Sequence, residues 1–273
     1  MNRINYIGHA TLLLEVNGVR LLTDPLLQRR VTHLWRTAPL PAFNLDKIDA
    51  ILISHLHGDH LHLPSLRLLG RNRHLIVPQG AGPFLERHGF YNYEEVRPGE
   101  KIRIKGLTIE ATMAEHGGTS LPWRPETVSL GYIIHGDQPI YFAGDTDIFP
   151  EMQVIGKTID IALLPVWGYG PSLGPGHLDP LRAADALRML QPRLAIPIHW
   201  GTYFPAGLGT VMPRYLEFPP RQFAYYARSI APDVRTVILQ PGSGLTVPAD
   251  YSIAAEHHLP KWPFPEWSVM ATA

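Results

Sequence analysis

A chain of 273 residues has room for one large domain or two small ones, and its 45% apolar content is ample for a core. Basic and acidic residues number 24 each, so the net charge is zero, which argues against a broad nucleic-acid or anionic-membrane footprint. Cysteine is absent, which excludes disulfides, thiolate ligands and a thiol nucleophile, so a metal site here has to be built from nitrogen and oxygen.

Residues 3–24 read as strands. Thr11-Leu12-Leu13-Leu14-Glu15-Val16 and Val19-Arg20-Leu21-Leu22-Thr23 flank Asn17-Gly18, a strong hairpin signal, and Asp24-Pro25 ends the run. His9 precedes the second strand. As a lone histidine it is read as a structural hydrogen-bonding residue rather than part of a site mouth. Residues 25–45 are expected to form a long loop carrying Arg29, Arg30, His33, Trp35 and Arg36. The arginines, Arg29 and Arg36 foremost, either hold a substrate phosphate or form a solvated basic face.

The apolar run Asp49-Ala50-Ile51-Leu52-Ile53 reads as a buried strand. It empties into Ser54-His55-Leu56-His57-Gly58-Asp59-His60, after which Leu61 to Leu69 starts a helix. Three histidines and one aspartate thus crowd six positions at the carboxyl end of a strand, where open α/β sheets place ligands. His55 and His57 project the same way if strand geometry continues. Asp59 and His60 follow the turn and reach a second point nearby. Neutral imidazole with carboxylate suits zinc, manganese or iron.

Further fragments repeat this placement. His116 follows the strand Leu107 to Thr112, with Trp123 in the loop beyond it either covering the site or packing. Asp145 stands at the end of Pro139 to Phe142, where a carboxylate can bridge two cations; Asp147 reads as a turn or cap residue. His199 ends Leu194-Ala195-Ile196-Pro197-Ile198. Asp179-Pro180 is a good helix start, with Leu181, Ala184, Leu187 and Leu190 as its core stripe. His177 lies just ahead of it and either faces the site or hydrogen-bonds a loop. A helix is expected over 221–231 and a closing strand over 236–239. Proline and glycine cluster around 39–41, 168–176, 205–220 and 260–265, which are read as long loops within a single domain spanning 1–273. The tail from about 247, with Trp262, Phe264 and Trp267, either packs on the body or forms a partner contact. It and the 25–45 loop are the candidate surfaces for a homo-oligomer.

His55, His57 and His116 can bind one metal and Asp59, His60 and His199 the other, with Asp145 between. Two such cations share a water and lower its pKa toward about 7, giving a nucleophile for a carbonyl carbon or a phosphorus. Asp59 is then a candidate for proton transfer as well as ligation. No run approaches the roughly 20 apolar residues of a membrane helix, and Met1-Asn2-Arg3 leads into Ile4 with no apolar leader, so a cytoplasmic protein is expected.

The order His55-x-His57-x-Asp59-His60, His116, Asp145 in Gly-Asp-Thr, and His199 resembles the metallo-β-lactamase superfamily. The resemblance covers about residues 3–245. It implies an αββα sandwich, two mixed sheets with helices outside and a dinuclear metal site at their edge. Tyr6-Ile7-Gly8-His9-Ala10-Thr11, Thr23-Asp24-Pro25, His177-Leu178-Asp179-Pro180 and Ile198-His199-Trp200-Gly201-Thr202 look most like the branch of the N-acyl-phosphatidylethanolamine phospholipase D and the L-ascorbate-6-phosphate lactonase. That likeness implies an active-site role for His177. It implies zinc by the phospholipase and manganese by the lactonase, and a small or lipid-like substrate with a phosphodiester or lactone bond. A sugar-phosphate lactonase without phosphodiesterase activity is the alternative, and a non-catalytic metal-binding protein the least favoured.

Overall fold

The computed structural model describes residues 1–117, 125–168, 174–212 and 214–251. Trp123 and the tail beyond Tyr251 lie outside the described residues, so what was expected of them is left as expectation.

Alternation along each strand decides which of two cores a side chain enters. In Thr11–Val16, Leu12, Leu14 and Val16 join one buried cluster while Leu13 joins another. Ala50 and Leu52 likewise part company with Ile51 and Ile53, and Ile76 with Leu75 and Val77. A period of two therefore makes these strands two-faced, each face covered by a different layer. The strands form a seven-stranded sheet in the order Gly244–Val247, Asn2–Gly8, Thr11–Val16, Val19–Thr23, Ala50–Leu52, Leu75–Pro78, Tyr93–Val96. Its first four strands pair antiparallel and the rest parallel.

A second seven-stranded sheet repeats the plan, in the order Arg235–Thr236, Leu194–Ile198, Ile161–Pro165, Ile140–Phe142, Leu130–His135, Leu107–Met113, Lys101–Ile104. Here too a parallel half joins an antiparallel half. The inner faces of both sheets share one buried cluster, in which Tyr6, Leu12 and Leu14 meet Tyr132, Ile134 and Phe142. Helices Leu63–Leu69 and Gly82–Arg87 cover the first sheet through Leu66, Leu69, Phe84 and Leu85. Pro180–Leu190 and Arg214–Ile230 cover the second through Ala183, Leu187, Leu190, Phe223 and Ala227. This is the expected αββα sandwich of mixed sheets. Among the described residues no helix is long and apolar enough to cross a membrane.

Three local expectations are corrected. The 25–45 loop contains strands Arg30–Val31 and Leu34–Arg36, which join Tyr203–Pro205 in a small antiparallel sheet. The helix expected from 221 starts at Arg214, with Pro219 and Pro220 inside it; each proline removes an intrahelical donor, and both rings are buried. The strand expected at 236–239 pairs only at Arg235–Thr236, and Gly244–Val247 closes the first sheet against Asn2–Asn5 instead.

The two sheets are pinned together at one end. Tyr132 Oη donates to the Ile53 carbonyl (2.7 Å), Tyr6 Oη to the Trp200 carbonyl (2.8 Å), and the Leu130 amide to the Ser54 carbonyl (2.9 Å). That end carries the histidine loops.

Candidate metal centre

His55 and His57 follow the strand Ala50–Leu52, and Asp59 and His60 follow a turn in which His60 and Leu61 amides bond the His57 carbonyl. His116 arrives from Leu107–Met113, Asp145 from Ile140–Phe142 and His199 from Leu194–Ile198. Gly144 lets Asp145 approach: its φ is +62°, and a Cβ there would lie 2.7 Å from Ser54 Cβ and 2.8 Å from the Leu130 oxygen. All seven residues converge. His55, His57 and His116 offer ligand atoms within 4.8 Å of one another, as do Asp59, His60 and His199 together with His9. Asp145 joins the groups: its carboxylate lies 3.3 Å from both His60 Nε2 and His199 Nε2, and it also clusters with His116 and His177.

Several contacts make poor hydrogen bonds but suit a shared cation. His199 Nε2 and His60 Nε2 are 3.4 Å apart, and His60 Nε2 and Asp59 Oδ2 3.5 Å. Atoms bound tetrahedrally at about 2.0–2.1 Å stand roughly 3.3–3.4 Å from each other. Tautomers are set to match. His60 Nδ1 donates to Asp24 Oδ2 (2.7 Å), His116 Nδ1 to the Gly176 carbonyl (2.7 Å) and His199 Nδ1 to the Trp167 carbonyl (2.5 Å). For His116 and His199 the bond leaves the Nε2 lone pair facing inward; for His60 it leaves Nε2 as the nitrogen that a cation would deprotonate and take. His55 Nδ1 is 2.9 Å from Ser54 Oγ, and its Nε2 is buried with no hydrogen-bond partner among the described residues. A buried nitrogen so left is costly unless a cation takes it. The donor set fits divalent metal.

Electrostatics point the same way. Burial pushes His55 well below the ordinary imidazole range, lowers His116, and brings His199 to about 3, so these rings are neutral at pH 7. Burial acts on His60 too, but Asp145, Asp59 and Asp24 outweigh it and hold the ring well above that range. Burial would raise Asp145 and Asp59; the facing histidines overcome it and hold both carboxyls well below normal.

Two residues that sequence reasoning did not place in the site support it. Asp24 is fully buried; its Oδ1 accepts from the Ser54 amide (2.7 Å) and its Oδ2 from Ser54 Oγ (2.5 Å) as well as His60. It thereby orients His60 directly and His55 through Ser54. His9 was read as merely structural, yet its Nε2 lies 3.0 Å from Asp59 Oδ2 and its ring centroid 3.8 Å from that of His199. Asp24 and His9 each end an apolar strand, the same signal that singled out Asp145. His9, Asp24 and His199 also hold positive φ (60°, 33° and 64°), a strained backbone that collects at functional sites.

The remaining expected residues are placed as follows. The His177 ring meets the His116 ring edge-on, centroids 4.6 Å apart, and its Nδ1 lies 3.3 Å from the Gly174 carbonyl of its own loop. Asp147 is a turn residue: its Oδ1 accepts from the Ile148 amide and pairs with Arg182. Arg29 is exposed on the surface loop. Arg36 turns inward: Nε donates to the Ala38 carbonyl (3.0 Å), Nη2 to Ile7 (2.5 Å), and the guanidinium lies over the Tyr203 ring. A sequence cannot tell an arginine that binds carbonyls from one that binds phosphate.

A profile of the beta-lactamase superfamily domain matches residues 19–200. The chain belongs to the metallo-β-lactamase superfamily. Among its relatives, a UPF0173 metal-dependent hydrolase of Methanopyrus kandleri is 31% identical over 250 residues, covering 88% of this chain and 97% of the relative. One of Opitutus terrae is 30% identical, covering 90% and 100%. A metallo hydrolase structure from Ignicoccus hospitalis superposes with a TM-score of 0.67 at 26% identity, covering 90% of this chain and 98% of that one. An isothiocyanate hydrolase from Delia radicum gut bacteria shares the fold, with a TM-score of 0.69 at 19% identity. As a member of the superfamily with such relatives, the chain is a metal-dependent hydrolase.

Proposed function

We propose that this superfamily member is a dinuclear hydrolase acting on an ester or lactone bond in a small or lipid-like substrate. The carrying observation is the adjacency of the two ligand groups, with the Asp145 carboxylate 3.3 Å from two histidines of one group and clustered with His116 of the other. His55, His57 and His116 would hold one divalent cation, and Asp59, His60 and His199 the second, with Asp145 shared. Zinc suits this set best, manganese or iron next. When bound, two such ions supply Lewis acidity and bring a water's pKa toward about 7.

The chain's own residues do the rest. Asp59, ionised and about one-fifth exposed, would take a proton from the attacking water. His177, whose ring lies against that of His116, would give a proton to the departing oxygen. Arg36 supports the carbonyl substrate over a phosphodiester, since its guanidinium bonds the protein's own carbonyls.

Metal analysis of natively purified protein, paired with a panel of lactones, plain esters and phosphodiesters, tests this reading. Two cations per chain and turnover of lactones or esters, unchanged in Arg29→Ala, are expected. Full activity in metal-free protein would reject it. Phosphodiester turnover that collapses in Arg29→Ala would move the substrate to the phosphate class.

A further inference from the structure

We propose that His9 is a positioning residue that fixes Asp59 for cation binding; the proposal rests on the assignment of Asp59 to a metal group. The turn between the first two strands carries a fully buried imidazole at φ 60°, a backbone region that costs a side-chain-bearing residue about 1–2 kcal/mol. Glycine would sit there without that cost, so the backbone alone does not account for a histidine at this turn. Its Nε2 lies 3.0 Å from Asp59 Oδ2, shorter than the 3.5 Å from His60 Nε2 to the same oxygen. Asp59 rides on a turn with side-chain exposure of 21%, so an unanchored carboxylate would be free to rotate toward solvent.

The backbone of His9 gives this anchor a rigid base. Its amide donates to Thr202 Oγ1 (2.9 Å), and its carbonyl accepts the His199 amide (2.8 Å). One residue therefore grips the His199 loop of the second sheet by its main chain and Asp59 of the first sheet's loop by its ring. The position that Asp59 must hold relative to His199 is set through His9.

Three variants test this. His9→Asn keeps a residue tolerant of positive φ but is too short to reach Asp59. His9→Gln restores a distal N–H donor. Protein stripped with a chelator is titrated with zinc, and affinity and stoichiometry are read by calorimetry. Removing a hydrogen-bond partner of a metal ligand costs about 10–100-fold in affinity. H9N is expected to bind one zinc about 10–100-fold more weakly at unchanged stoichiometry, and H9Q to recover most of the loss. In an Asp59→Ala background the H9N effect should vanish, which keeps the test readable if H9N alone is poorly folded. Wild-type affinity in H9N overturns the proposal. So does an H9Q protein no better than H9N, or a stoichiometry that drops in both, since His9 would then be a ligand itself. Wild-type protein that takes up fewer than two zinc ions counts against the dinuclear reading, whereas His9 is judged on the ratio between variant and wild type.

Discussion

Replacing Asp24 by Asn exchanges one oxygen for an amide and tests how the ligand histidines are prepared. Asp24 accepts three hydrogen bonds within 2.7 Å, from the Ser54 amide, Ser54 Oγ and His60 Nδ1. An asparagine has a single oxygen. With that oxygen facing the Ser54 amide, its NH2 group confronts His60 Nδ1 and drives the ring proton to Nε2, where it blocks ligation. Ser54 Oγ, now accepting from the amide, would donate to His55 Nδ1 and reverse that ring as well. The opposite orientation sets two N–H donors against each other in a buried place, at about 1–3 kcal/mol of stability. The first outcome costs about 10–100-fold in metal affinity, or about 1.4–2.8 kcal/mol. Chelator competition on Asp24→Asn, alongside thermal unfolding of the stripped protein, reads both quantities. Wild-type zinc affinity together with wild-type stability would refute the reasoning.

Alanine at His57 or Asp145 should remove turnover and lower metal content together, measured by elemental analysis and an ester assay. Zinc uptake at pH 7 should release a proton from His60, whose pKa in the cation-free protein is held well above 6.5. Calorimetry in buffers of different ionisation enthalpy detects the release. The associated stability of cation-free protein is full below pH ~6.5 and lost as pH climbs through the raised value. Gly144→Ala places a Cβ 2.7 Å from Ser54 Cβ at positive φ. It should cost roughly 2–5 kcal/mol in denaturant unfolding. Arg36→Ala, which removes bonds to Ala38 and Ile7, should destabilise by about 1–3 kcal/mol and affect phosphate-bearing and plain substrates alike.

The seven residues that converge were legible because they cluster just beyond the ends of apolar strands. Ala50–Leu52, Leu194–Ile198 and Ile140–Phe142 are fully buried, so their ends are where polar groups first appear. His9 and Asp24 follow their strands as Asp145 does, yet each also reads as an ordinary turn residue, because what sets them apart is partners 50 and 36 positions away. Arg36 could not be placed for a related reason: whether a guanidinium meets phosphate or carbonyl depends on how the strand Leu34–Arg36 docks against Tyr203–Pro205. The helix beginning at Arg214 was hidden by Pro219 and Pro220, whose propensity penalty is local and whose burial is not.

His60 and His199 are 139 positions apart in the chain, and His57 and His116 are 59 apart. An ion grasped by either pair closes a very long loop, as a disulfide does in secreted proteins, for a polypeptide that has no cysteine to spend. Unlike a covalent staple, this one comes and goes with supply. A cell starved of the ion would keep the two sheets together by core packing and the hydrogen bonds between them alone, and the lifetime of the folded chain against proteases would then follow metal nutrition.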